Sequence, residues 1–151
     1  MTDTSVPGII AVKRDLTEEV NDIITRFHNV IFKIMKFCKQ KQPDLLELEG
    51  LHRKLSLARD LDPLVIINRS KDKIWMYKDQ IINEDEDFFM KNKFGQFIKN
   101  DENRPFMYTI IKLIKDNYMK MTEPEKKLVW SLNQSLLKIV IEYKKATNDF
   151  I

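Results

Sequence analysis

The spacing of apolar positions divides the chain into amphipathic helical segments, and the last of them organises the others. Over residues 122–145 (TEPEKKLVWSLNQSLLKIVIEYKK), Val129, Leu132, Leu136, Ile139, Val140 and Tyr143 share one face at roughly 100° per residue. Trp130, Leu137 and Ile141 form a second stripe about a third of a turn further round. Together they span roughly 200°, whereas a surface helix that reaches one core needs about 100°. Lys127, Ser131, Gln134, Lys138, Glu142 and Lys145 keep the remaining side polar. Thr122 followed by Glu125 is a capping box, and Pro124 sits in the first turn, where its missing N–H costs nothing. Such a helix is either the centre post of a bundle or carries a second stripe that faces a partner.

The other segments follow in order. Residues 1–14 read as an irregular arm with Val6, Ile9, Ile10 and Val12 available to tack it down. Asp15 with Glu18 starts the first helix, in which Val20, Ile23, Ile24, Phe27, Val30, Ile31, Ile34, Met35 and Cys38 repeat at three and four. Gln42-Pro43 stops it. Pro43 and Asp44 open a second helix with Leu45, Leu48, Leu51, Leu55 and Ala58 on its buried side, and interior Gly50 weakens it by about 1 kcal/mol. Asp62-Pro63 opens a third, whose arc is Leu64, Ile67, Ile74, Trp75, Tyr77 and Ile81. Asn83 with Glu86 caps a short fourth helix reaching Asn92. The stretch 94–104 (FGQFIKNDENR) is a loop. Pro105 starts a fifth helix with Phe106, Met107, Ile110, Ile111, Leu113, Ile114, Tyr118 and Met121 on its core side, and a tight corner leads into the last. No strand pattern, repeat or low-complexity segment interrupts this. The expectation is an all-α, single-domain bundle of five or six helices over 15–146, with the long first and last helices side by side and a short tail at 147–151.

Composition narrows the picture. The 151 residues suit one domain with a real core, and 43% hydrophobic against 32% charged residues is a globular balance. The net charge of +3, from 26 basic and 23 acidic residues, permits contact with nucleic acid but does not argue for it. A single cysteine, Cys38, fits a reducing compartment. Asp3, Pro7 and Gly8 spoil the N-terminus as a signal peptide, and 128–141 is too polar for a membrane span. The chain reads as soluble and intracellular.

Candidate chemistry is sparse. Asn83, Asp85 and Asp87 have the spacing of a calcium loop, but Phe88 stands where that loop needs Gly and Phe94 where it needs Glu. Carboxylates there suit a helix first turn instead. Cys38, His28 and His52 share no metal-ligand spacing, and a Cys–His nucleophilic pair would have to form in space. Three glycines make no phosphate loop. No catalytic residue, cofactor or metal site is assigned, and no enzyme activity is indicated. Basic residues (Arg26, Lys33, Lys36, Lys112, Lys115, Lys126, Lys127, Lys138, Lys144, Lys145) dot exposed helix faces among acidic neighbours. Lys33, Lys36, Lys126 and Lys127 are the set that could contact phosphates.

The segments Ile74-Trp75-Met76-Tyr77-Lys78-Asp79-Gln80-Ile81 and Asp85-Glu86-Asp87-Phe88-Phe89 resemble segments of small helical proteins of large cytoplasmic (nucleocytoplasmic) DNA viruses. The Lys-, Ile- and Asn-rich composition agrees with such AT-rich genomes. The resemblance implies a virion-associated or infection-related protein in the cytoplasm or the particle, and carries over no catalytic residue.

The leading expectation is therefore a non-catalytic structural or interaction protein that binds a protein partner, or itself, through apolar helix faces. The contact residues expected are Trp130, Leu137 and Ile141, then Trp75 and Tyr77, types that are enriched at interfaces. The alternative is a nucleic-acid-associated protein using the four lysines. On the leading reading, Leu137→Asp disperses an oligomer and leaves helicity intact; loss of the fold would put the stripe in the core.

Overall fold

The computed structural model describes residues 17–92 and 104–150, the side chains of 104–110 excepted. The arm at 1–14, the cap at Asp15, the loop at 94–103 and the side chains of Phe106, Met107, Tyr108 and Ile110 lie outside the described residues. Within them the chain forms seven helices and no strand: α1 (Glu18–Lys41), α2 (Leu46–Leu61), α3 (Val65–Met76), α4 (Lys78–Ile82), α5 (Glu86–Lys91), α6 (Arg104–Met119) and α7 (Glu123–Ala146). The all-α bundle expected from the apolar spacing is present, and its first and last helices are the longest, at 24 residues each.

Local signals place most helix ends. The Thr122–Glu125 capping box is complete: the Glu125 N–H donates to the Thr122 hydroxyl and the Thr122 N–H to the Glu125 carboxylate. At α1 the cap is Thr17, whose hydroxyl accepts from the Val20 N–H at 3.2 Å. At α5 it is Asp85, accepting from the Phe88 N–H, and not Asn83, which closes α4. Between them Glu84 takes a left-handed φ of 50°, so the chain turns sharply before α5. Helix α2 starts at Leu46 rather than Pro43, because the turn out of α1 uses residues 42–45, where the Leu45 N–H bonds to the Gln42 carbonyl. Helix α2 passes through Gly50 unbroken. The third expected helix divides at Tyr77, whose N–H is shared between the carbonyls of Lys73 and Ile74. That tightened turn, with no Pro or Gly to announce it, adds the extra helix.

Helix α7 is the centre post. It packs against α1, α3 and α4, and α1 is its principal neighbour. Antiparallel α1 and α7 enclose Ile23, Ile24, Phe27, Leu136, Ile139, Val140 and Tyr143, joined from α3 and its approach by Leu64, Ile66 and Ile67. Burial of such a side chain contributes roughly 1.5–3 kcal/mol. A smaller cluster of Met35, Cys38 and Leu48 joins α1 to α2. Ion pairs pin the long pair near both ends. Both Arg26 amino groups reach the Glu142 carboxylate at 2.9 Å, and Lys41 reaches Glu125 at 2.9 Å. Fully buried Asn117 on α6 donates to the Cys38 carbonyl and to the Gln42 side chain, fastening α6 to the end of α1.

Several sequence-based expectations change. Lys144 is not a surface cation: it is 4% exposed and donates to Asp72 on α3 at 2.8 Å and to Asp149. Those carboxylates raise its pKa, with the Asp72 hydrogen bond the largest cause. The tail at 147–150 is docked on the bundle. Asp149 also pairs with Lys71, and the Phe150 ring lies 5.2 Å from Trp75 in edge-on contact. Ile114, expected in the core, is 47% exposed. Leu137 is 3% exposed and Trp130 8%, so the second stripe of α7 is filled by the chain itself. Trp130 lies against Phe89 of α5 and Tyr118 of α6, a contact that the wide apolar arc permits.

Two expectations follow. Leu137→Asp places an unpaired charge in this interior and should cost about 3–5 kcal/mol, lowering the urea midpoint sharply, while Leu57→Asp at an exposed site should change stability by about 0.5 kcal/mol or less. His28 is buried, with its Nε2 unpartnered, and desolvation followed by the Arg59 charge holds its pKa below the usual 6.5. The unfolded chain therefore takes up a proton first. The stability His28 contributes is complete above about pH 6.5 and is lost as pH falls below it. Chemical denaturation between pH 5 and pH 7 should show that slope in the native chain and a flatter one in His28→Gln.

Candidate functional site

The break at Tyr77 and the turn at Glu84 fold α3, α4 and α5 twice across α6 and α7. This brings large rings together. Tyr77 lies 5.7 Å from Phe88 and 5.9 Å from Phe89; Phe88 and Phe89 are 5.4 Å apart; Phe89 is 5.5 Å from Trp130. Short helices carrying rings of this size do not close on one another completely. A cleft of about 360 Å³ remains, walled by Ile74, Tyr77, Phe89, Tyr118, Val129 and Trp130, with Ile114 also lining it. That size falls in the roughly 300–1,000 Å³ range of ligand clefts.

One hydrogen-bond relay runs along its wall. The Trp130 indole N–H donates to the Tyr118 hydroxyl at 2.9 Å, and that hydroxyl donates to Glu86 at 3.0 Å. The Lys126 ammonium sits 5.1 Å above the Tyr118 ring. Desolvation, more than any neighbour, pushes the Tyr118 phenol up to about 12, and raises Tyr77 as well. Both are therefore protonated at neutral pH. Lys115, at the cleft's edge, donates to the backbone carbonyls of Met90 and Asn92, tying α6 to the end of α5. The walls thus offer apolar surface with a fixed polar seam. They present hydrogen-bond donors already in use rather than an activated nucleophile.

The residues singled out from the sequence separate into three places. Trp130 and Tyr77 both reach the cleft. Leu137 belongs to the interior, and Ile141 is half-buried beside it. Trp75 points elsewhere, between Phe150 and the Lys78 ammonium 4.6 Å from its ring. Trp130, Leu137 and Ile141 do not form an exposed stripe. The lysines are also divided. Lys127 pairs with Glu84 at 3.1 Å, and Lys126 lies 3.9 Å from Glu123 and 4.0 Å from Glu86, so both already face carboxylates. Lys33 and Lys36 are exposed on α1. Cys38 is buried, which raises its thiol pKa; His28 lies ten residues away on the same helix, about 15 Å along its axis. His52 is turned toward Phe32 and Lys39.

Phe89, Tyr118, Glu86 and Ile114 were not singled out as contact residues. The aromatic density of 74–89 was the one available signal. Comparison with models of known protein families, with curated proteins and with solved structures finds no match for this chain.

Removing the Tyr118 hydroxyl leaves the buried Trp130 N–H without its acceptor. Tyr118→Phe should therefore destabilise the fold by about 1–3 kcal/mol and move Trp130 fluorescence, as checked by urea unfolding followed at the tryptophan emission. In a spectrophotometric titration of the native chain one tyrosine should ionise only near pH 12.

Proposed function

We propose that this chain is a non-catalytic interaction protein, and that the cleft between α3–α5 and α6–α7 receives apolar side chains from a protein partner. The observation that carries the reading is the cleft's wall: aromatic and aliphatic over nearly its whole surface, with Ile114 standing at 47% exposure on it. Isolated exposed apolar residues are ordinary, but a cavity walled by aromatic and aliphatic side chains, with an exposed Ile on it, has the make-up of an interface core. The groove suits an amphipathic helix that inserts side chains at three- and four-residue intervals. The resemblance of 74–81 and 85–89 to proteins of large cytoplasmic DNA viruses supports a virion-associated role, with the partner another component of the particle.

The test is site-specific photocrosslinking in the native cellular setting. A photoreactive amino acid replaces Ile114 on the cleft, and separately Leu57, which is 59% exposed on α2. The expected result is a discrete protein adduct from position 114, mapped to one apolar segment of the partner and absent from position 57. Equal labelling from both positions would mean general stickiness and would sink the proposal. Ile114→Asp should weaken the partner's affinity by about tenfold or more without unfolding the chain.

A further inference from the structure

A second cavity, on the other side of the bundle, has the opposite character. It lies between α1 and α2, has a volume of about 540 Å³, and is lined by Phe32, Lys36, Lys39, Gln40 and Pro43 from one side and His52, Ser56 and Arg59 from the other. Steps of three and four residues put Phe32, Lys36 and Lys39 on one face of α1 and His52, Ser56 and Arg59 on one face of α2, with Pro43 in the turn between them. Three cations line it and no carboxylate does. From these groups we infer that the cavity is a binding site for a small phosphorylated molecule.

Two of the three cations, Lys39 and Arg59, are held in place by contacts within the chain. The Arg59 guanidinium lies 4.5 Å above the Phe32 ring, and the His52 ring is 5.6 Å from the same ring. The Lys39 ammonium donates to His52 Nδ1 at 2.9 Å and to Glu49 at 2.9 Å. An ammonium can only donate, so Nδ1 is an acceptor and neutral His52 carries its proton on Nε2, where it is a further donor. Lys39 keeps one N–H beyond those two bonds. Among the described residues, Arg59 donates through its Nε alone, to exposed Asp60 at 3.3 Å, and Lys36 forms no ion pair. Neither Glu49 nor Asp60 lines the cavity. Cationic donors, a hydroxyl and an amide thus line a space whose wall holds no carboxylate. Oxygens of a phosphate monoester match that set, since charge-assisted bonds to Lys and Arg are the strong ones. The volume exceeds what the phosphate alone needs, and the Phe32 and His52 rings offer contact to an organic remainder.

This site shares no residue with the apolar cleft, so the two proposals stand or fall separately. The test is titration of the whole protein with inorganic pyrophosphate, followed by NMR at the His52 imidazole, which is assigned by comparison with His52→Gln. The expected result is saturable movement of the His52 signal at millimolar concentration or below. Lys36→Gln and Arg59→Gln should each weaken binding about tenfold, and Lys138→Gln, at an exposed lysine on α7, should leave it unchanged. No movement at His52, or equal weakening by Lys138→Gln, would overturn the inference. So would an oligonucleotide whose affinity at the same residues grows with length, which would assign the groups to a nucleic-acid backbone.

Discussion

Antiparallel packing of α1 on α7 is the constraint from which the remaining architecture follows. Phe27, Ile24 and Val140 meet at its centre with essentially no exposed surface, and the Arg26–Glu142 and Lys41–Glu125 pairs fix which turn of one helix lies beside which turn of the other. Once α7 is committed to α1 on its main face, its second stripe still has to be removed from water. Only short elements can do that without displacing α1. Helices α3 and α4 pack on α7 with a bend between them at Tyr77, and Phe89 of α5 and Tyr118 of α6 meet Trp130. The apolar cleft is the residue of that solution, since a bent cover carrying three large rings, Tyr77, Phe88 and Phe89, does not close completely on Trp130.

The two cavities show how one scaffold can carry opposite chemistries. Around α7 the walls are aromatic and the polar groups are bonded to one another, as in the Trp130–Tyr118–Glu86 relay. Across α1, the helix presents Phe32, Lys36 and Lys39 to α2; Arg59 there is steadied by the Phe32 ring, Lys39 by His52 and Glu49, and no carboxylate lines the wall. Opposed faces of α1 thus serve the core and a charged pocket, a division that the 3.6-residue period makes available to any helix of this length.

How much of this was legible in the sequence follows from what periodicity encodes. The spacing in α7 and α1 identifies which side chains go inward, because that depends on one helix at a time; Ile23, Phe27, Leu136 and Val140 are where it puts them. The Thr122–Glu125 box is likewise local and readable. What periodicity does not encode is the neighbour. Trp130 and Leu137 were apolar in either reading, and only the arrangement of the neighbouring helices decides that the chain covers them itself. The bend at Tyr77 has no Pro or Gly to mark it, so its cause is tertiary. Lys144 looked like any other helix-end cation because its partners, Asp72 and Asp149, come from distant and unrelated positions. Of the candidate sites, Tyr77, Trp130 and Lys36 were legible as notable residues; Tyr118, His52 and Arg59 acquire their roles only from the helix pairing.

The pairing of first and last helices also bears on how the chain is made. Arg26 and Glu142 are 116 positions apart, so α1 leaves the ribosome long before its cover exists. At about 5–20 residues per second, translation leaves Ile23, Ile24 and Phe27 without their final neighbour for roughly 6–20 s. During that interval α2 and α3 can shield them only in part, and the nascent chain exposes its stickiest surface to everything around it. A fold whose centre post is synthesised last depends on whatever holds its first helix in the meantime.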